Sequence, residues 1–168
     1  TYGLRAHELR RFVTLPALSL LALRLALAIH PADHADRQSL ESSGWELVDP
    51  EVVAGDPWSY RRFVQGSAAE LMIAKNMYVQ ARSGWFSDRS LCYLASGRPV
   101  IAQDTGFAST YPTGLGLLAF TTLAEAASAL EQISAEPAKH AQAAREVAEA
   151  CFDSGLVLGR LLSLLDGA

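Results

Sequence analysis

A layered α/β fold with a mostly parallel sheet follows from three observations on the sequence. Short apolar runs at 23–29, 45–48, 68–74, 99–102 and 117–120 alternate with longer stretches of helical character. Proline, glycine and aspartate punctuate the boundaries at the positions where helices start and stop. The apolar runs are nearly continuous rather than alternating, as expected of strands covered on both faces. The chain has 168 residues, half of them hydrophobic and 19% charged, which suits one domain with its own core.

The elements follow in order. Residues 3–12 read as a short basic amphipathic helix with Leu4, Leu9 and Phe12 on its apolar side. Residues 15–29 are apolar but broken by Pro16 and interrupted by Arg24, and are too short for a membrane span. They read as a loop or short helix entering a buried strand at 23–29, which His30-Pro31 ends because the residue before proline avoids helical geometry. Asp33 caps a helix over about 34–43, stopped by Gly44. A strand at 45–48 closes at Asp49-Pro50. Asp56-Pro57 opens a helix to about 65, with proline at the first position, where its missing N–H costs nothing. The run 68–74 is a third strand, and 77–82 extends it or forms another. Ser87 or Asp88 starts a helix that Gly97 ends, and 99–102 is the next strand. A turn around Gly114 and Gly116 leads into a strand at 117–120. Thr122 and Glu125 form a capping box for a helix to about 133. Pro137 begins a further helix to about 152, and 153–168 is a C-terminal helix with Leu156, Leu158, Leu161, Leu162 and Leu165 on an apolar side. One Rossmann-like, three-layer α/β/α domain with a mostly parallel sheet of five to six strands fits these elements. It spans 1–168, with 1–22 as a linker or interdomain helix.

The net charge of −4 gives no general attraction to nucleic acid or anionic membrane. Cys92 and Cys151 fit buried thiols in a reducing, cytoplasmic setting. His30, Asp33, His34 and Asp36 match no metal spacing, and no metal or other cofactor is expected. The usual dinucleotide and P-loop glycine motifs are absent.

In an open parallel sheet, ligands sit beyond the carboxyl ends of the strands. The polar residues there are the candidates. A helix start at Ser87-Asp88-Arg89 offers free N–H groups and about half a positive charge. Ser87 adds a hydroxyl and Arg89 a guanidinium suited to phosphate. Equally, Ser87 or Asp88 serves as a plain N-cap and Arg89 as a surface charge. Asp104-Thr105-Gly106 follows a buried strand; Asp104 suits ligand hydroxyls and Gly106 a close backbone approach, or the three form an ordinary turn. Lys75 ends the third strand, where it neutralises a phosphate or snorkels to solvent.

The stretch 84–106, with Ala95-Ser96-Gly97-Arg98-Pro99-Val100-Ile101-Ala102 as helix end and strand, resembles the donor-binding element of GT-B glycosyltransferases of the group 1 type, in their carboxyl-terminal domain. The segments 58–74 and 114–126 resemble the flanking helix, strands and following helix of that family. The resemblance implies transfer of a sugar from a nucleoside diphosphate sugar to an acceptor held by an N-terminal domain missing from this chain. It implies that Lys75, Ser87, Asp88 and Arg89 contact the diphosphate, and Asp104, Thr105 and Gly106 the sugar or ribose. Where many retaining members carry a spaced pair of glutamates, this chain has Gly84 and Cys92, so Asp88 or Asp104 takes the carboxylate role. A non-catalytic Rossmann-like binding or scaffold module is the alternative.

Overall fold

The structure, a computed structural model, describes residues 8–30 and 32–166. Residues 3–7 of the helix expected over 3–12 therefore fall outside the described residues, as does Pro31, and 8–12 are helical. The described part of that segment ends in a 3-10 turn at Arg10–Phe12, followed by another at Leu15–Leu18. Phe12 and Leu15 are fully buried, so a stretch expected to be a linker or interdomain helix supplies core.

Five strands form: β1 (Arg24–Ala26), β2 (Glu46–Val48), β3 (Glu70–Met72), β4 (Val100–Gln103) and β5 (Leu117–Phe120). All pairing among them is parallel, but they make two sheets. β1 pairs with β2, and β3, β4 and β5 follow one another in a second sheet. A continuous sheet of five or six strands is thus replaced by a pair and a trio. The helices are α1 (His34–Ser42), α2 (Pro50–Ala54), α3 (Pro57–Gly66), α4 (Asn76–Ala81), α5 (Asp88–Ala95), α6 (Leu123–Ala135), α7 (Pro137–Phe152) and α8 (Ser154–Asp166). None among the described residues is long and apolar enough to cross a membrane.

Side chains alternate across the trio, so each strand feeds two cores. Ile73, Ile101, Leu118 and Phe120 pack with Ala126, Ala129, Leu130 and Ile133 of α6, and with Phe12 and Leu15. Met72, Ala74, Val100, Ala102 and Leu117 pack with Tyr93 and Leu94 of α5, Ala144, Val147 and Ala148 of α7, and Val64 of α3. Helices thus cover both faces of β3–β5. The pair differs. Leu23, Leu25, Leu27, Trp45 and Leu47 join the first core, while the register partners Arg24 and Glu46 form an exposed ion pair at 2.8 Å on the other face.

Most boundaries obey their local chemistry. Asp56 caps α3 through Trp58 and Ser59 N–H groups, and Thr122 and Glu125 form the full capping box of α6. Asp33 stands at the N-cap of α1, but its side chain makes no cap bond. Segment 77–82, expected to be extended, is helical to Ala81 in α4, with Arg82 as its left-handed C-cap. Lys75 carbonyl accepts from Tyr78 N–H at 2.9 Å and starts the turn. α2 goes beyond the sequence expectation; Asp49 caps it through Glu51 N–H. Cys92, expected to be buried, is exposed, because it lies on the side of α5 opposite Tyr93 and Leu94.

Gly116 shows one close approach. Its φ is +73°, and a Cβ there would lie 2.2 Å from Ala144 N. α7 thus rests against bare backbone. Buried His140 of α7 accepts the Gly116 N–H on Nδ1 at 3.3 Å, and burial pushes its pKa below the ordinary value.

α8 contrasts with this packing. Leu156, Val157, Leu158, Leu161, Leu162, Leu164 and Leu165 are all exposed, so the helix contributes almost no burial to the domain.

Two outcomes follow for stability. Gly116→Ala is expected to lower the unfolding free energy by about 3 kcal/mol, combining overpacking with left-handed strain, as read by urea denaturation. Deleting residues 154–168 is expected to move the melting temperature by less than about 2 °C, as read by calorimetry.

Candidate functional site

Because β3 and β4 are parallel, their carboxyl ends deliver 74–76 and 103–106 to one edge of the trio. α4 follows β3 and returns the chain to that edge at 82–87. Two backbone-level links tie the loops together. Gly84 N–H donates to Thr105 carbonyl at 2.8 Å. Thr105 Oγ1 donates to Trp85 carbonyl at 2.5 Å. Gly106 completes the contact with φ +103°, and a Cβ at that position would come to 3.0 Å from Arg82 carbonyl oxygen. The two polar loops flanking α5 and β4 therefore stand side by side, as their sequence order in a parallel sheet requires.

The expected site residues divide into two groups. Asp104, Thr105 and Gly106 are together at this edge. Asp104 Oδ1 accepts from Gly106 N–H at 2.8 Å and Ala108 N–H at 3.3 Å, and Thr105 is buried, its hydroxyl spent on the opposite loop. Thr105 therefore holds loops together rather than facing outward. Lys75 ends the β3 segment, exposed, with Nζ 6.0 Å from the Tyr78 ring centroid; Tyr78 in turn stacks on Trp85 at 4.9 Å. Ser87 is the N-cap of α5, buried, and its side chain makes no cap bond. Asp88 Oδ1 accepts instead from Arg89 N–H at 2.9 Å.

Arg89 leaves this group. Its Nε donates to Glu70 Oε1 at 2.5 Å, and Glu70 is the first residue of β3. Glu70 and Lys75 are five positions apart, about 16 Å of extended chain. The Glu70 side chain is 4% exposed, and its Oε2 finds no hydrogen-bond partner among the described residues. Burial works against the Arg89 cation, yet the Glu70 carboxylate beside it holds the Arg89 pKa above its ordinary value. The physical reason for the departure from expectation is this buried carboxylate under α5, which needs a counter-charge more than the exposed edge does. Tyr60 and Tyr93 nearby are held protonated, their pKa values raised first by burial.

Three groups at the edge were not singled out from the sequence. Glu8 is 1% exposed. Its carboxylate accepts from Asn76 Nδ2 at 2.6 Å, Gln103 Nε2 at 2.7 Å and Arg11 Nη1 at 3.0 Å. Gln103 Oε1 accepts in turn from Ala74 N–H at 3.1 Å. Burial alone would raise the Glu8 pKa, but the Gln103 and Asn76 amides and the Arg11 charge hold it below the usual value. Gln103 was visible as the polar residue closing an apolar strand; Glu8, one acid in a basic segment, carried no local signal. Arg82, the third, is the one non-glycine among the described residues with positive φ, at +46°. Such a conformation costs a side chain about 1–2 kcal/mol. Its guanidinium stands 4.0 Å from Asp104 Oδ2 and is 70% exposed.

Elsewhere, an open depression of about 250 Å³ between β5 and α6 is lined by Thr113, Leu118, Glu125 and Gln132. Its charged member, Glu125, is spent on the Thr121 and Thr122 N–H groups. Among the described residues no group of three metal-ligating side chains converges.

The Glu8 network makes a pH-dependent contribution to stability. The Glu8 pKa is depressed in the folded state, so the contribution is complete above about pH 4.5, and it is lost as pH falls through the folded value. Glu8→Ala is expected to cost about 1–3 kcal/mol at pH 7 by leaving the buried Gln103 amide without its carboxylate acceptor, and to flatten the acid limb of the stability curve, as followed by urea denaturation from pH 3 to 7.

Comparison with protein-family models, curated proteins and solved structures finds no match to this chain.

Proposed function

We propose that this chain is the donor-binding domain of a glycosyltransferase, holding a nucleoside diphosphate sugar at the carboxyl edge of β3 and β4. The observation that carries the proposal is the pairing of loops 82–87 and 104–106 at that edge, through Gly84, Trp85 and Thr105. These loops bound the stretch 84–106 in which the sequence resembles the GT-B donor element. The start of α5 beside them supplies a positive helix end without a metal, and Lys75 adds a cation. Stabilising a departing diphosphate is the electrostatic task such groups perform. Asp104, with Gly106 holding the close turn beside it, suits the sugar or ribose hydroxyls.

In this proposal the two sheets belong to one Rossmann-like layer, a view supported by the single core that Leu23, Trp45, Ile73 and Ile101 share. An N-terminal domain outside this chain holds the acceptor, and the whole works in the cytoplasm. The isolated chain therefore binds the donor without turning it over.

A scaffold or binding module without catalysis is the second reading. One observation favours it: the ends of β3 and β4 satisfy each other internally through Glu8, Asn76 and Gln103.

Titration calorimetry with UDP, GDP and dTDP separates the two. The donor-site proposal expects saturable, one-site binding of at least one of them with a dissociation constant below about 1 mM, about 4 kcal/mol of binding. Heat indistinguishable from buffer dilution for all three rejects it in favour of the scaffold.

A further inference from the structure

We infer that Arg82 supplies the guanidinium that holds the diphosphate of the ligand, in the place that sequence alone gives to Arg89; this rests on the donor-site proposal above.

Arg89 is drawn away by Glu70 under α5, at the other end of β3. The loop edge thereby loses the guanidinium expected there. Arg82 stands in its place. Its backbone lies against Gly106, and Gly84 and Trp85, two and three residues further on, are tied to Thr105. The position of Arg82 is thus fixed by the same contacts that build the site. Its side chain is mostly exposed and approaches Asp104 Oδ2, whereas the Gly106 and Ala108 N–H groups donate to Oδ1. Exposure leaves the guanidinium donors accessible to a ligand, and the 4.0 Å separation from Asp104 is a loose ion pair rather than a hydrogen bond. A ligand with a diphosphate beside hydroxyls matches this pair, phosphate oxygens on the planar guanidinium fork and a hydroxyl on the carboxylate.

The left-handed backbone supports the same assignment. Glycine or asparagine fits a φ of +46° more easily than arginine does. A long cationic side chain at the left-handed C-cap of α4, on the ligand edge of a parallel sheet, is the kind of outlier that marks a working residue.

The experiment compares wild type, Arg82→Asn, Arg82→Lys and Arg89→Ala with whichever of UDP, GDP or dTDP the wild type binds, together with the matching nucleoside. Asparagine suits the left-handed turn, so Arg82→Asn removes the guanidinium while leaving the fold intact; Arg82→Gly serves the same purpose if the asparagine variant does not fold. The expected result is a loss of diphosphate affinity of roughly tenfold or more, the scale of a hydrogen bond to a charged group, with unchanged melting temperature and unchanged affinity for the nucleoside. Arg82→Lys is expected to fall between the two, because it keeps the charge without the fork. Arg89→Ala is expected to lower the melting temperature while folded protein binds the diphosphate within threefold of wild type. Diphosphate affinity of Arg82→Asn within threefold of wild type overturns the assignment and leaves the donor-site proposal standing. Failure of the wild type to bind any of the three nucleotides removes both.

Discussion

Complete burial of β4 on both faces is the constraint on which the rest of the structure depends. Val100, Ile101, Ala102 and Gln103 are all excluded from solvent, and β4 lies between β3 and β5. A strand in that position has its backbone paired on both sides and its side chains in two separate cores. Helices must therefore lie above and below, α6 with the N-terminal segment on one face, α3, α5 and α7 on the other. The only places left for polar groups are the two ends. At the amino end, Gly116 N–H bonds to His140, and α7 can come that close only because residue 116 has no side chain. At the carboxyl end, Gln103 closes the strand by joining Ala74 to Glu8.

This division explains why the carboxyl edge carries the polar chemistry and also why its loops are tied to one another. Parallel strands discharge their following loops on the same side, so 82–87 and 104–106 meet without any long-range design beyond the sheet register. Thr105, Gly106 and Gly84 then convert adjacency into a fixed geometry by using backbone groups and one buried hydroxyl. The exposed side chains of Arg82 and Lys75 and the half-buried Asp104 carboxylate are left on that base. Rigid placement of a few polar groups on a scaffold is what ligand sites require.

Charge placement follows a different logic from loop placement. Glu70 and Glu8 are both buried carboxylates, and each must have compensation. Glu8 obtains it from two amides and Arg11, and Glu70 from Arg89. Desolvation makes these pairings compulsory, whereas a cation at an exposed edge is optional. The competition for Arg89 was therefore decided inside the protein. The leucines of α8 obey no such requirement, and remain outside both cores.

Much of the architecture was determined by the sequence itself. Apolar runs of strand length, the Asp56-Pro57 start, the Thr122–Glu125 box and Gly97 at φ +66° act over a few residues, so local chemistry placed β2, β4, β5, α3, α6 and α7 within a few residues of where they lie. The neighbouring polar loops followed from strand order alone. Tertiary structure decided what depends on distant partners. It split the strands into a pair and a trio, turned 76–81 into a helix, buried Phe12 and Glu8, and exposed Cys92 and α8. It also moved Arg89 to Glu70, nineteen residues away in sequence, and left Arg82 at the edge. No local pattern encodes such choices, because the free energy of a buried charge depends on which counter-charge the folded chain brings within reach.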